Sequence, residues 1–347
     1  MLNHRNLVVV GTSAGGLEVL RSLVKHLPPD FPAAICIVWH LPPDAQGILP
    51  RVLDKAGPLK AAHAIDGEAI VPGRIYVAPP NHHLLIEPER VRVTKGPKEN
   101  RFRPAIDPLF RSAAYVYGAG AIGIVLTGAL DDGTSGLWTI KLRGGTTIVQ
   151  HPQEALIPSM PKSALKEVEV DHCVPVAMMP ELLIRLTQEP VAQMPEVSPE
   201  ENEKTQLEIQ TAAEENALKL GVMKLGELSA FTCPECHGVL VKIKEGNITR
   251  FRCHTGHAFS ANALLSEVTH SIEETLWSAL RAVEESVMLL EHLGEHLAEA
   301  ETSELAQLYL QKAQEAKQRA DLVRQAVMQH EQFSVDTLRQ QTEEGHF

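Results

Sequence analysis

The chain has 347 residues, 44% of them apolar, and 32 basic against 44 acidic side chains, for a net charge of −12. That length suits two or three domains, the apolar fraction excludes wholesale disorder, and no run of about 18 apolar residues exists to span a membrane. The acidic balance argues against nucleic acid or an anionic membrane as the main partner, and Met1 to Gly11 lacks the pattern of a signal peptide.

The charge is unevenly placed. Residues 1–188 carry 19 basic and 17 acidic side chains, or +2, which leaves 13 and 27, or −14, for residues 189–347. Within the first part, apolar runs at Leu7–Val10, Ala33–Trp39, Ile75–Val77, Ala121–Leu126 and Thr146–Val149 alternate with helix-like stretches at Leu17–His26, Pro108–Tyr117, Leu137–Leu142 and Pro161–Glu167. Strands apolar on both faces, separated by helices, predict a three-layer α/β/α sandwich with a mainly parallel sheet.

The first strand runs into Gly11-Thr12-Ser13-Ala14-Gly15-Gly16. The spacing G-x-x-x-G-G is not that of a dinucleotide-binding loop, and the second strand ends in His40 rather than an acid. Ser13 stands where open α/β sheets place their sites. It either caps the following helix or serves as a nucleophile, with the first-turn N–H groups facing a developing oxyanion. A nucleophilic serine needs a base and an orienting acid. His40 follows the second strand against Pro42-Pro43, and Asp131 and Asp132 follow the strand Ala121–Leu126. In a parallel sheet all of these ends share one rim.

Five segments together carry a resemblance: Gly11–Gly16, His40–Pro43, Tyr76–His83, Asn100–Phe110 and Leu126–Gly136. In order and spacing they resemble the catalytic domain of the chemotaxis methylesterase CheB, over about residues 5–188. The resemblance implies that Ser13, His40 and Asp132 form the triad, with Asp131 as the neighbour. It also implies an oxyanion and substrate role for Ala14, Ala129, His83 and Arg103. The activity implied is hydrolysis of glutamyl γ-methyl esters on methyl-accepting chemoreceptors, with release of methanol and glutamine deamidation as a side activity. Catalysis of this kind needs no cofactor. The sequence departs from the family at Ala14, where Thr is common, at Trp39, and at Leu130-Asp131. The receiver domain usual at the family's N-terminus is not part of this sequence. Arg101, Arg103 and Arg111 either meet acidic receptor helices or form a solvated face.

Residues 189–205, rich in Pro and Glu, read as a linker. Residues 206–260 read as a helix followed by a Cys/His module. Its spacing, Cys233-x2-Cys236-x16-Cys253-x3-His257, is that of a zinc-ribbon-like structural zinc site, with His254 and His237 as rival fourth ligands. Similar C-P-x-C…F-R-C-x-x-G-H modules follow methylesterase domains in some CheB-like proteins. The clustering of three of the five cysteines, and the absence of a disulfide pattern, fit a reducing cytoplasm.

Residues 261–347 contain no proline and show Leu/Val stripes broken near Glu299–Ser303. They predict an amphipathic helical hairpin or coiled coil, which packs on itself, dimerises, or binds a sensor kinase. Membrane insertion is not expected. The rival to an enzyme is a non-catalytic chemosensory scaffold binding receptors or a kinase.

Overall fold

A computed structural model describes residues 4–42, 44, 47–191, 194–213, 216–299, 303–334 and 337–338. Pro43, part of the Pro-Pro stop, and residues 300–302 of the expected helix break lie outside the described residues. The chain divides into two compact units, Met1–Leu264 and Leu265–Phe347.

The first unit begins with β1 (Leu7–Thr12), α1 (Gly16–Lys25), β2 (Ala34–Trp39), α2 (Leu49–Ala56), β3 (Lys60–His63) and β4 (Arg74–Val77). A hairpin of β5 (His83–Glu87) and β6 (Arg90–Thr94) follows, then α3 (Ile106–Tyr117), β7 (Ala121–Val125), α4 (Thr134–Leu142), β8 (Thr146–Gln150), α5 (Ser159–Glu167), β9 (His172–Val174) and α6 (Met179–Gln188). Seven strands form one sheet in the order β3-β4-β2-β1-β7-β8-β9, and every pairing in it is parallel.

Alternate residues of the strands feed two cores. Val8, Val10, Ile35 and Ile37 pack with Leu20 and Leu23 of α1, Leu53 of α2 and Leu183 of α6. Leu7, Val9, Cys36 and Val38 pack with Ile106 and Phe110 of α3, Leu137 of α4 and Ala164 of α5. A sheet covered on both faces has no polar strand face, which is why its strands read as unbroken apolar runs. The expected three-layer sandwich is present, and its strand order reverses between β1 and β7.

The residues from 189 onward correct the linker. Helix α7 spans Pro199–Ala212, so residues 199–205 are helical. Ser198 accepts the N–H of Glu201 and Pro199 opens the first turn, a start signal that the Pro/Glu composition masked. Next come the short α8 (Ala217–Leu220) and four strands: β10 (Glu227–Thr232), β11 (Val239–Glu245), β12 (Ile248–Cys253) and β13 (Ala258–Ser260). They form one antiparallel sheet in that order. This module belongs to the same compact unit as the parallel sheet, not to a separate domain.

Helix α9 (Ala261–Glu299) begins in the first unit and continues through the second, where α10 (Ser303–Met328) follows. Glu291 meets Lys317, Glu284 meets Arg324, and the Thr269 carbonyl meets His330, so the two helices run antiparallel as a hairpin.

Candidate active site

The reversal of strand order between β1 and β7 opens the crevice where ligands of open α/β sheets bind. Ser13 leaves β1 there. Its N–H donates to the Thr127 carbonyl beyond β7 (3.0 Å), and its own carbonyl accepts from Trp39 Nε1 (2.8 Å). A Cβ at Gly128 would come 2.8 Å from the Ser13 Cβ, so glycine lets the two turns approach. The N-cap of α1 is Gly15, at φ +79°, with no side-chain cap. The capping alternative for Ser13 is therefore not realised.

His40 follows β2, with its N–H on the Thr12 carbonyl (3.1 Å). Its Nε2 lies 2.7 Å from Asp132 Oδ2, and both side chains are 2% exposed. Nδ1 of the same ring is buried with no protein partner among the described residues. The ring of Phe102 stacks on the imidazole at 3.7 Å, 8° from parallel.

Asp132 is held by five N–H donors. Oδ2 accepts from His40 and from the Ile106 backbone (2.7 Å). Oδ1 accepts from Asn100 Nδ2 (2.9 Å), the Gly133 backbone (3.0 Å) and the Asp107 backbone (3.3 Å). Ile106 and Asp107 open α3, so this distant carboxylate does the capping that Ala105 cannot. That explains why the helix starts two residues before the expected Pro108. Asp107 returns the arrangement, taking the N–H groups of Gly133 and Gly136 at the start of α4. Burial alone would raise the Asp132 pKa, but the bonds from His40, Ile106 and Asn100 hold it below the usual carboxylate value. Burial and the charge of Asp132 push Asp107 well above it. The two neighbouring carboxyls are thus pushed in opposite directions, Asp132 toward the charged form and Asp107 away from it. Asp131, the rival acid, points elsewhere. It accepts from Ser260 Oγ (2.6 Å) and Asn262 Nδ2 (2.8 Å).

A family model described as CheB methylesterase matches residues 8–183. The chain belongs to the CheB methylesterase family. Among relatives, a Thermotoga maritima protein-glutamate methylesterase/protein-glutamine glutaminase is 37% identical over 184 residues, or 52% of this chain and 54% of the relative. A Leptospira interrogans protein whose name gives the same two activities is 41% identical over 182 residues, 52% of this chain and 94% of that one. The crystal structure of the Thermotoga maritima CheB methylesterase catalytic domain superposes with a TM-score of 0.51 at 36% identity, covering 54% of this chain and all of that domain. The CheB region thus coincides with the parallel-sheet layers, and the Cys/His module and hairpin lie outside it.

The remaining expectations fare unevenly. Ala14 and Ala129 are exposed on the rim beside Ser13. His83 is not a substrate contact, because it is fully buried, with Nε2 on the Pro97 carbonyl and Nδ1 on the Ala105 N–H. Burial holds its pKa below the usual histidine value. Arg103 braces loops: it donates to Asn81 Oδ1 (2.9 and 2.8 Å) and to the carbonyls of Lys95 and Gly96.

Arg111 cannot meet a receptor. It is 1% exposed and paired with Glu99 (3.3 Å) and Glu208 (2.9 Å). These join Arg250, Arg252 and Glu245 in a buried cluster of three arginines and three glutamates. The cluster spans the catalytic layers, α7 and the Cys/His module. Burial opposes ionisation of Glu99 and Glu208, yet the surrounding guanidiniums hold both carboxyls below their usual range.

In the module, the donor atoms of Cys233, Cys236, Cys253 and His257 all lie within 4.8 Å of one another. Cys236 and Cys253 sulfurs are 3.7 Å apart, and His257 Nδ1 is 3.7 Å from Cys233 and Cys253. A tetrahedron with bonds of about 2.3 Å has edges of about 3.8 Å, so the donor set fits zinc. Among the described residues, neither His254 nor His237 joins this group. Asn100, Phe102 and Asp107 are what reading the sequence for site chemistry missed. All three lie in the segment Asn100–Phe110 that carried the resemblance, but their contacts with His40 and Asp132 join parts distant in sequence.

Proposed function

We propose that the chain is a serine carboxylesterase that hydrolyses glutamyl γ-methyl esters on methyl-accepting chemoreceptors and releases methanol. One observation carries this reading: the buried His40–Asp132 pair at 2.7 Å, which leaves His40 Nδ1 without a protein partner among the described residues, on the rim where Ser13 emerges. With Nε2–H donating to Asp132, Nδ1 is the basic nitrogen. It takes the Ser13 proton as Oγ attacks the ester carbonyl, and the ionised Asp132 steadies the resulting imidazolium. Backbone N–H groups of Ala14 and Ala129 receive the oxyanion. His40 returns the proton to the departing methoxide, then activates the water that frees the glutamate. A glutamine amide fits the same sequence of steps, so deamidation accompanies esterase activity, in keeping with the names of the relatives.

The hydrogen bonds from His40, Ile106 and Asn100 that hold Asp132 below the usual carboxylate range favour an enzyme over a scaffold, since they keep a charged acid against His40 in a fully buried site. Cys233, Cys236, Cys253 and His257 would hold a zinc ion, which supplies a structural staple because four protein ligands leave no open position. The test is methanol release from methylated receptor membranes. Wild type is expected to release methanol and Ser13→Ala to release none above background. Equal release by the two, or none by wild type, refutes the reading.

A further inference from the structure

The segment Glu99–Phe102 is a tight turn closed by two backbone bonds, Glu99 N–H to the Phe102 carbonyl and Phe102 N–H to the Glu99 carbonyl. Asn100 (φ 49°) and Arg101 (φ 77°) both occupy the left-handed region. Side chains adopt it at a cost of about 1 kcal/mol or more each, so the surroundings must hold the turn in place.

What holds it is the Cys/His module. Ala258 of β13 accepts the Asn100 N–H (2.8 Å) and donates to the Lys98 carbonyl (3.2 Å). Arg252 of β12 donates to Glu99 (2.7 Å). The Ser260 N–H donates to Asn100 Oδ1 (2.7 Å). In turn Asn100 Nδ2 donates to both Asp132 Oδ1 and Asp107 Oδ2 (2.9 Å each). Two residues on, Phe102 lies flat on His40.

We propose that Asn100 is a positioning residue of the His40–Asp132 pair, set by β13 of the Cys/His module, so that the module is a working part of the esterase site. This inference rests on the triad reading above. The logic lies in the amide. Its two faces differ only by a half-turn, and the two carboxylates need its NH2 while the Ser260 N–H needs its oxygen. The module's backbone N–H therefore fixes which end of Asn100 faces Asp132. Thus Oδ1 of Asp132 stays satisfied and Oδ2 stays aimed at His40. Ser260 of β13 and Asn262 at the start of α9 donate to Asp131, so the residue before the acid is held from this side as well.

The test is Asn100→Ala in the full chain, with Lys98→Ala as control. Lys98 pairs with Glu235 of the module (2.7 Å) and touches neither Asp132 nor His40. Removing the donor from Asp132 concentrates its negative charge and favours the His40 cation. His40, followed by NMR titration of its ring nitrogens, should therefore titrate about 0.5 unit or more higher in Asn100→Ala than in wild type. The acid limb of the pH profile of kcat/KM should move the same way. The kcat for methanol release should fall about 10- to 100-fold with KM within about twofold. Lys98→Ala should move neither the titration nor the limb. If Asn100→Ala does not fold, Asn100→Ser, which keeps one donor, is read in the same way for a smaller shift. An unmoved His40 titration in a folded Asn100 variant overturns the proposal, as does an equal shift in Lys98→Ala. Because the NMR readout needs no turnover, a wild-type protein that releases no methanol refutes the esterase reading separately.

Discussion

Replacing Asp132 by Asn tests the site with almost no change in shape. The carboxylate accepts two donors on Oδ2, from His40 and Ile106, and three on Oδ1, from Asn100, Gly133 and Asp107. An amide offers one acceptor oxygen and one NH2 group. In one orientation the NH2 faces two N–H donors; in the other it faces three. A buried donor left unsatisfied costs about 1–3 kcal/mol, so the substitution should destabilise the first unit by at least about 2–6 kcal/mol. His40 can relieve part of that by moving its proton to Nδ1, but this is the nitrogen that must accept from Ser13. Activity should then fall about 10³- to 10⁴-fold even in the folded fraction. Denaturant unfolding gives the first figure. Methanol release, normalised to the folded fraction from the unfolding curve, gives the second. A variant within tenfold of wild-type release, or within about 1 kcal/mol of wild-type stability, would show that Asp132 does not hold the charge argued for it.

Two further outcomes follow from the module. Glu208→Ala leaves three buried guanidiniums facing two carboxylates, which should cost about 3–5 kcal/mol by calorimetry, and a loss under about 1 kcal/mol would mean that water reaches the cluster. Because the arginines hold Glu99 and Glu208 below the ordinary carboxylate pKa, their contribution is fully present above about pH 4.3. It is lost as pH falls through the lowered values, so acid should destabilise wild type more steeply than Glu208→Ala. For the metal, protein purified without chelator should carry about one zinc per chain, and His257→Ala should bind it far more weakly than His254→Ala. Equal retention by the two variants would return the fourth ligand to the alternatives.

Ser13 and His40 could be singled out because each directly follows an apolar strand, and Asp132 because it lies in the turn after Ala121–Val125; parallel strands bring such ends to one rim. Choosing between Asp131 and Asp132 needed family resemblance, since adjacent residues at a turn differ only in direction. Here the direction is set by α3 on one side and β13 on the other. Arg250 and Arg252 were hidden by their own pattern. In Ile248-Thr249-Arg250-Phe251-Arg252-Cys253 the alternation reads as a solvated strand face, yet both arginines are buried against Glu99 and Glu208. Charge pairing at a separation of 153 residues, as for Glu99 and Arg252, leaves no periodic trace. The same is true of Glu208, one glutamate among many in an acidic stretch. His83 misled for the opposite reason: it sits in a family motif, but both ring nitrogens are spent on backbone.

The +2 and −14 halves suggest two parts that only touch, but the interface between catalytic layers and module is made of the buried charges themselves. Dissolving that contact would strand Arg250 and Arg252 on one side and the Glu99–Arg111 pair on the other. An apolar patch of equal area would bind as well but could slide, because dispersion contacts are indifferent to small shifts. Bidentate guanidinium–carboxylate pairs are not indifferent, since a displacement of an ångström breaks them. Orientation matters here because β13 must present one backbone N–H to one side of one amide, 2.7 Å from Asn100 Oδ1. A charged interface is a costly way to hold two parts together and an effective way to hold them in one register. On this argument the six-residue cluster serves the placement of Asn100, and through it Asp132, more than it serves the stability of the fold.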